Sequence, residues 1–114
     1  MHIDIQSRGF SLTEALFGYT QKRVLNAMSY CSGHVNRVVI RLSDTNGPRG
    51  GSDKRCHIQV VLAGIPDVVV EDTKVDLYAA IDRAINRAKR TVVRKVDRQF
   101  THLKRSGPLV LGVE

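Results

Sequence analysis

Along the C-terminal third of the chain, Leu77, Ile81, Ala84, Ile85, Ala88, Val92 and Val96 recur at helical spacing and mark one face of a long helix. The helix is predicted to open near Asp76, where acids suit the positive end of the helix dipole. Ser106-Gly107-Pro108 stops it. An apolar stripe of that length has to be buried against another layer. The rest of the chain must therefore supply a surface to receive it.

That surface reads as a sheet. His2 to Gln6 alternates, with Ile3 and Ile5 on one side, and Arg8-Gly9-Phe10 breaks the strand. Ser11-Leu12-Thr13-Glu14 fits a capping box and opens a helix to about Met28, with Leu16, Phe17, Thr20, Val24, Leu25 and Met28 toward the core. Ser32-Gly33 ends it. Val35 to Ser43 is a second strand, Val38, Ile40 and Leu42 facing one way and Arg37, Val39 and Arg41 the other. Asp44 to Asp53 is rich in turn residues and reads as a loop. Lys54 to Ala63 alternates again, Gly64-Ile65-Pro66-Asp67 turns the chain, and Val68-Val69-Val70 makes a fourth strand through a hairpin. The expected fold class is α+β: a two-layer β-α-β-β-β-α sandwich, a four-stranded sheet with two helices on one face. One domain over residues 1–105 is expected, with 106–114 a flexible tail.

The 114 residues carry 18 Lys+Arg against 11 Asp+Glu, a formal charge of +7. The charge is localised. From Asp76 to Arg105 there are nine basic residues and three acids, which leaves +6 in that segment. Arg83, Arg87, Arg90, Arg94 and Arg98 follow one another at intervals of four, three, four and four. At about 100° per residue they occupy a band of roughly 80°, roughly 150° from the apolar stripe. Arginine pairs with phosphate through a planar two-donor fork. Like charges in a row repel one another, and a polyanion relieves that repulsion. Two readings fit the stripe: contact with nucleic acid, or a solvated basic helix face.

A second basic region is expected on the outer sheet face, where Arg37, Arg41, Arg55, His57 and Gln59 project, with Arg49 and Lys54 beside the glycine-rich loop. A polar outer face on an open antiparallel sheet is the plainer alternative. Aromatic residues make up only 5% of the chain and none falls on the outward positions of these strands. Any RNA recognition should therefore run through backbone and shape more than base stacking.

Other chemistries find less support. Gly47-Pro48-Arg49-Gly50 has the GxxG form of KH loops, but those join helices, and the loop has no Walker context. Cys31, His34, Cys56 and His57 make a poor zinc set, because Cys56 and His57 are adjacent on a strand and point to opposite faces. The histidines are scattered, and Asp67, Glu71, Asp72 and Asp76 read as a solvated edge and helix start. No enzyme activity, cofactor or metal is expected. Two cysteines are too few for a disulfide framework and should pack as small apolar residues in a reducing compartment. No apolar run approaches a membrane span, and no signal peptide is visible, so a bacterial cytosol is the expected location.

The segment Asp76-Leu77-Tyr78-Ala79-Ala80-Ile81-Asp82-Arg83-Ala84 and the Arg-rich helix it opens resemble the ribosome hibernation-promoting factor and ribosome-associated inhibitor (protein Y) family, formerly labelled sigma-54 modulation protein. Ser11-Leu12-Thr13-Glu14-Ala15-Leu16 also looks like that family, as does Asn46-Gly47-Pro48-Arg49-Gly50-Gly51 leading to Asp53-Lys54-Arg55-Cys56. The resemblance spans roughly residues 2–105. It implies a fold similar to double-stranded RNA-binding domains. It also implies binding to small-subunit ribosomal RNA in the channel of mRNA and tRNA, so that translation is blocked in stressed or stationary cells. It implies RNA contact by Arg83, Arg87, Arg90 and Arg94, then Lys95 and Arg98, with Lys22 from the first helix. Arg49, Lys54 and Arg55 are further RNA-binding candidates.

The resemblance points to a short form without the C-terminal domain by which long members pair ribosomes. Such a protein would be a monomer when free, with no membrane and no small-molecule substrate among its partners. The tail Gly107 to Glu114 matches no family pattern, and the helix is arginine-rich where the family is usually lysine-rich. A generic double-stranded RNA binder and a protein-interaction module modulating transcription are the alternatives.

Overall fold

The computed structural model describes residues 1–46 and 52–106. The element order is β1 (His2–Arg8), α1 (Glu14–Met28), a 3-10 turn (Ser29–His34), β2 (Val35–Asn46), β3 (Ser52–Leu62), β4 (Ile65–Lys74) and α2 (Leu77–Ser106). The sheet runs in the order β1-β2-β3-β4. β1 and β2 are parallel, because α1 carries the chain back to the starting end, whereas β2-β3 and β3-β4 are antiparallel hairpins. The four-stranded sheet with two helices agrees with the fold class read from the sequence.

Register shows how the core is built. Ile5 lies beside Ile40, Ile40 beside Ile58, and Ile58 beside Val70, one apolar row crossing all four strands. These side chains join Leu16, Val24 and Met28 of α1 and Ile81, Ile85 and Val92 of α2 in a single buried cluster. Ala80, Ala84 and Ala88, all fully buried, let the α2 backbone lie close over the sheet. Cys31 and Cys56 are buried free thiols. Burial pushes the Cys56 thiol up to about 12, helped by the Asp72 charge, and burial followed by Asp97 raises Cys31 as well. Both are packing residues at neutral pH. Among the described residues no helix is long and apolar enough to cross a membrane.

Several local expectations are corrected. The N-cap of α1 is Thr13, whose hydroxyl accepts from the Leu16 amide at 3.1 Å, and not Ser11. Phe10 and Leu12 pack against the core, which keeps the segment before Thr13 out of the helix. Phe17 and Leu25 are 40% and 47% exposed, so the buried side of α1 is narrower than its apolar content. Leu25 sits nine residues after Leu16, half a turn round the helix.

The hairpin between β2 and β3 is longer than its apolar pattern. Asp44 pairs with Lys54, Thr45 with Asp53 and Asn46 with Ser52. Gly47 to Gly51, with Arg49, lie outside the described residues, as does the predicted tail beyond Ser106. β4 starts at Ile65 because the two-residue turn Ala63-Gly64 is enough, with Gly64 at φ 71°. Val60 and Leu62 face Val68 and Ile65, so β4 holds an extra residue there. Pro66 falls in that bulge on an edge strand, where a missing N–H is tolerated.

Candidate nucleic-acid interface

The apolar stripe that seats α2 on the sheet turns its opposite side to solvent. Arg83, Arg87, Arg90, Arg94 and Arg98 are all exposed there. The stripe is not uniform. The sequence shows no acid facing these arginines, but β4 supplies one. Asp72 Oδ2 accepts from Arg83 Nε at 3.4 Å and from Arg87 Nη1 at 3.3 Å, and Arg87 Nη1 also donates to the Glu71 carbonyl at 3.0 Å. Asp72 is 12% exposed and pairs with Cys56 across the sheet on the helix side. Burial pushes its carboxyl up, but the bonds from Arg87 and Arg83, the Arg83 charge and the Thr73 amide outweigh it and hold the group below its ordinary value. The Arg83 and Arg87 side chains remain 61% and 48% exposed, so each is held on one side and open on the other. Among the described residues no carboxylate bonds Arg90, Arg94 or Arg98.

The other predicted residues among those described fall in four places. Lys22 is exposed on α1. Lys95 is half-buried and roughly 100° round α2 from the middle of the stripe, beside the core residues. Lys54 lies on the helix side of the sheet, bonded to Asp44 at 3.0 Å, its ammonium 5.8 Å from the Phe10 ring centroid. Arg55 is exposed on the outer sheet face with Arg37 and Arg41. His57 and Gln59 share that face, and Gln59 donates to Asp67 at 2.8 Å. The structure thus groups the α2 arginines, sets Arg55 on the opposite face, and gives Lys54 an internal partner. Among the described residues no group of three or more His, Cys, Asp or Glu could hold a metal ion.

One residue set escaped the sequence reading. Asp82 accepts from the Tyr19 hydroxyl at 2.7 Å and from Arg23 Nε at 3.0 Å, and Arg23 Nη2 reaches Asn86 Oδ1 at 3.4 Å. The Tyr19 and Tyr78 rings meet edge-on at 4.8 Å. The bond to Asp82, followed by burial and the Asp82 charge, raises the Tyr19 hydroxyl above its ordinary value against the opposing pull of Arg23. This group ties α1 to α2 and sets the position of the stripe's first turn. Tyr19 and Asp82 are 63 residues apart, so no local pattern announces the contact.

The comparisons agree with this geometry. The family described as "Sigma 54 modulation protein / S30EA ribosomal protein" matches residues 3–100. The crystal structure of the Thermus thermophilus Protein Y N-terminal domain is similar, with 34% identity and a TM-score of 0.69 over 82% of this chain and 98% of that one. A ribosomal subunit interface protein from Coxiella burnetii, 18% identical, shares the fold with a TM-score of 0.71 over 82% of this chain and 96% of that one. No curated protein sequence is significantly similar to the chain. With a family match across nearly the whole described fold, the chain belongs to the sigma-54 modulation protein / S30EA ribosomal protein family.

Proposed function

We propose that this protein is a ribosome-associated translation inhibitor of the hibernation type. It binds small-subunit ribosomal RNA where mRNA and tRNA pass and acts by occupying that channel in the cytoplasm. The observation that carries this reading is the exposed arginine stripe of α2 on a fold shared with Protein Y, with Arg90, Arg94 and Arg98 bonded to no carboxylate among the described residues. Inhibition needs no bond making, since a bound protein excludes the tRNA and mRNA that share its place.

Arg83, Arg87, Arg90 and Arg94 form the centre of the RNA contact, Arg98 its far end, and Lys22 adds to it from α1. Arg83 and Arg87 are held by Asp72 before binding, so less side-chain freedom is lost when they meet phosphate. Cosedimentation with small ribosomal subunits tests the reading. The wild type should pellet with the subunits at low salt and dissociate steeply as salt rises, by about 0.7–0.9 log units of affinity per log unit of salt for each phosphate neutralised. Changing the five stripe arginines to glutamine should abolish cosedimentation. Wild type that stays at the top of the gradient at low salt would end the proposal. Equal affinity for generic RNA duplexes would favour a free double-stranded RNA binder instead.

A further inference from the structure

The outer face of the sheet carries a second cluster of arginines that the α2 stripe does not use. β1 runs two residues beyond its apolar alternation, to Arg8. The register then sets Arg8 beside Ser43 and Ser43 beside Arg55, one row across β1, β2 and β3. In the next outward row Gln6 lies beside Arg41 and Arg41 beside His57. These residues line an open groove of about 550 Å³, with Glu71 the one carboxylate lining it among the described residues. Strands are about 4.8 Å apart and alternate residues about 6.7 Å, so the three guanidinium groups can reach neighbouring phosphates of one strand.

In its pairing the groove resembles the far half of the α2 stripe, where Arg90, Arg94 and Arg98 bond no carboxylate among the described residues. Elsewhere, Arg23 has found Asp82, Lys54 has found Asp44, and Arg83 and Arg87 share Asp72. Among the described residues Arg8, Arg41 and Arg55 bond no carboxylate, although Glu71 lines the same groove. Ser43 sits between Arg8 and Arg55 and offers a neutral donor, while the Gln6 amide donates to Asp4 at 3.0 Å. The His57 imidazole is the one ring on these outward positions, with no Phe, Tyr or Trp beside it, so the groove suits a sugar-phosphate backbone more than a run of stacked bases.

We propose that this groove is a second RNA-backbone site, so that the protein clasps two separate RNA segments on opposite faces. The sheet and helix layers together are on the order of 20 Å thick, from a helix diameter of about 10–12 Å and a layer spacing of about 10 Å. A single backbone strand lying along the stripe therefore does not reach the groove. The inference rests on the RNA-binding reading above and adds to it a second surface and a bridging geometry.

Two variants separate the claims: Arg8→Gln/Arg41→Gln/Arg55→Gln for the groove and Arg90→Gln/Arg94→Gln for the stripe. Each is titrated against purified small ribosomal subunits between about 50 and 200 mM salt. The groove variant should bind about a hundredfold more weakly near 0.1 M salt, and its salt slope should fall by about 2–3 units. The triple Arg→Lys variant keeps the charge and should retain the slope. Arg41→Gln alone should weaken binding about fivefold, which covers any loss of folding in the triple variant. In a second assay, two short RNA duplexes carrying donor and acceptor dyes should be brought together by wild type and by neither variant.

Wild-type binding by the groove variant, with loss only in the stripe variant, overturns this inference and leaves the proposed function intact. Full binding by both variants overturns both. Absence of energy transfer with wild type under conditions where each duplex binds overturns the bridging geometry.

Discussion

Asp72 shows how a single carboxylate can hold two arginines and leave them available. Its bonds to Arg83 and Arg87 are long, at 3.4 and 3.3 Å, and both partners are half exposed, so water screens the attraction. Asp72→Asn should therefore cost only about 1 kcal/mol at neutral pH. The pH dependence has a definite sign. The folded carboxyl sits below its ordinary value of 3.8, so its contribution is present above that value and lost as pH falls through the folded one. Urea unfolding at pH 7 and at successive steps below 3.8 should show the gap between wild type and variant closing in acid. A gap independent of pH would mean the charge is not what Asp72 contributes. The sequence places Asp72 near α2 but cannot show that it faces Arg83 and Arg87, because that depends on the register of β4 under the helix. The Tyr19–Asp82 contact is hidden because it depends on how α1 packs against α2 across 63 residues of chain. Gln6, Arg41 and His57, by contrast, follow from strand alternation alone once the strands are aligned.

At the scale of elements, what the sequence revealed depended on apolar periodicity. α2 was legible over its full length, since each core position, from Ile81 to Val96, is both apolar and buried. β2 was legible only to Ser43, because Asp44, Thr45 and Asn46 continue the ladder with polar side chains that carry no apolar signal. Arg8 was lost from β1 in the same way, and with it the edge of the outer groove. The capping-box spacing to Glu14 favours Ser11 locally, and the packing of Phe10 and Leu12 decides for Thr13. The alanine side of α2 carries a testable consequence. Ala80, Ala84 and Ala88 have no exposed surface and set the helix close to the sheet. Ala88→Leu would overpack that contact and should destabilise the fold by about 1–3 kcal/mol in chemical denaturation. The exposed neighbour Lys89→Ala should stay within about 0.5 kcal/mol of wild type. Equal stability of Ala88→Leu and wild type would show that the layers can part without cost.

For the whole molecule, the same charge acts in opposite directions on stability and on binding. The chain carries +7, of which the segment from Asp76 to Arg105 holds +6, and the family resemblance, not the charge, is what points to the ribosome. Neighbouring arginines three or four residues apart disfavour the helix by about 0.2–0.5 kcal/mol per pair. Asp72 offsets this only at Arg83 and Arg87, which leaves the pairs from Arg87 through Arg98 uncompensated among the described residues. Their sum is roughly 1 kcal/mol. Salt shortens the range of this repulsion, to about 10 Å at 0.1 M and 3 Å at 1 M. The free protein should therefore gain thermal stability as salt rises from about 20 mM to 0.5 M, by roughly 4–8 °C for each kcal/mol recovered. Over the same range affinity for small ribosomal subunits should fall by orders of magnitude. Differential scanning fluorimetry and cosedimentation in matched buffers would read the two trends together. A melting temperature that falls with salt would mean that ion pairs such as Asp72 with its two arginines outweigh the repulsion along the stripe, and the stripe would then carry no stored repulsion for RNA to relieve.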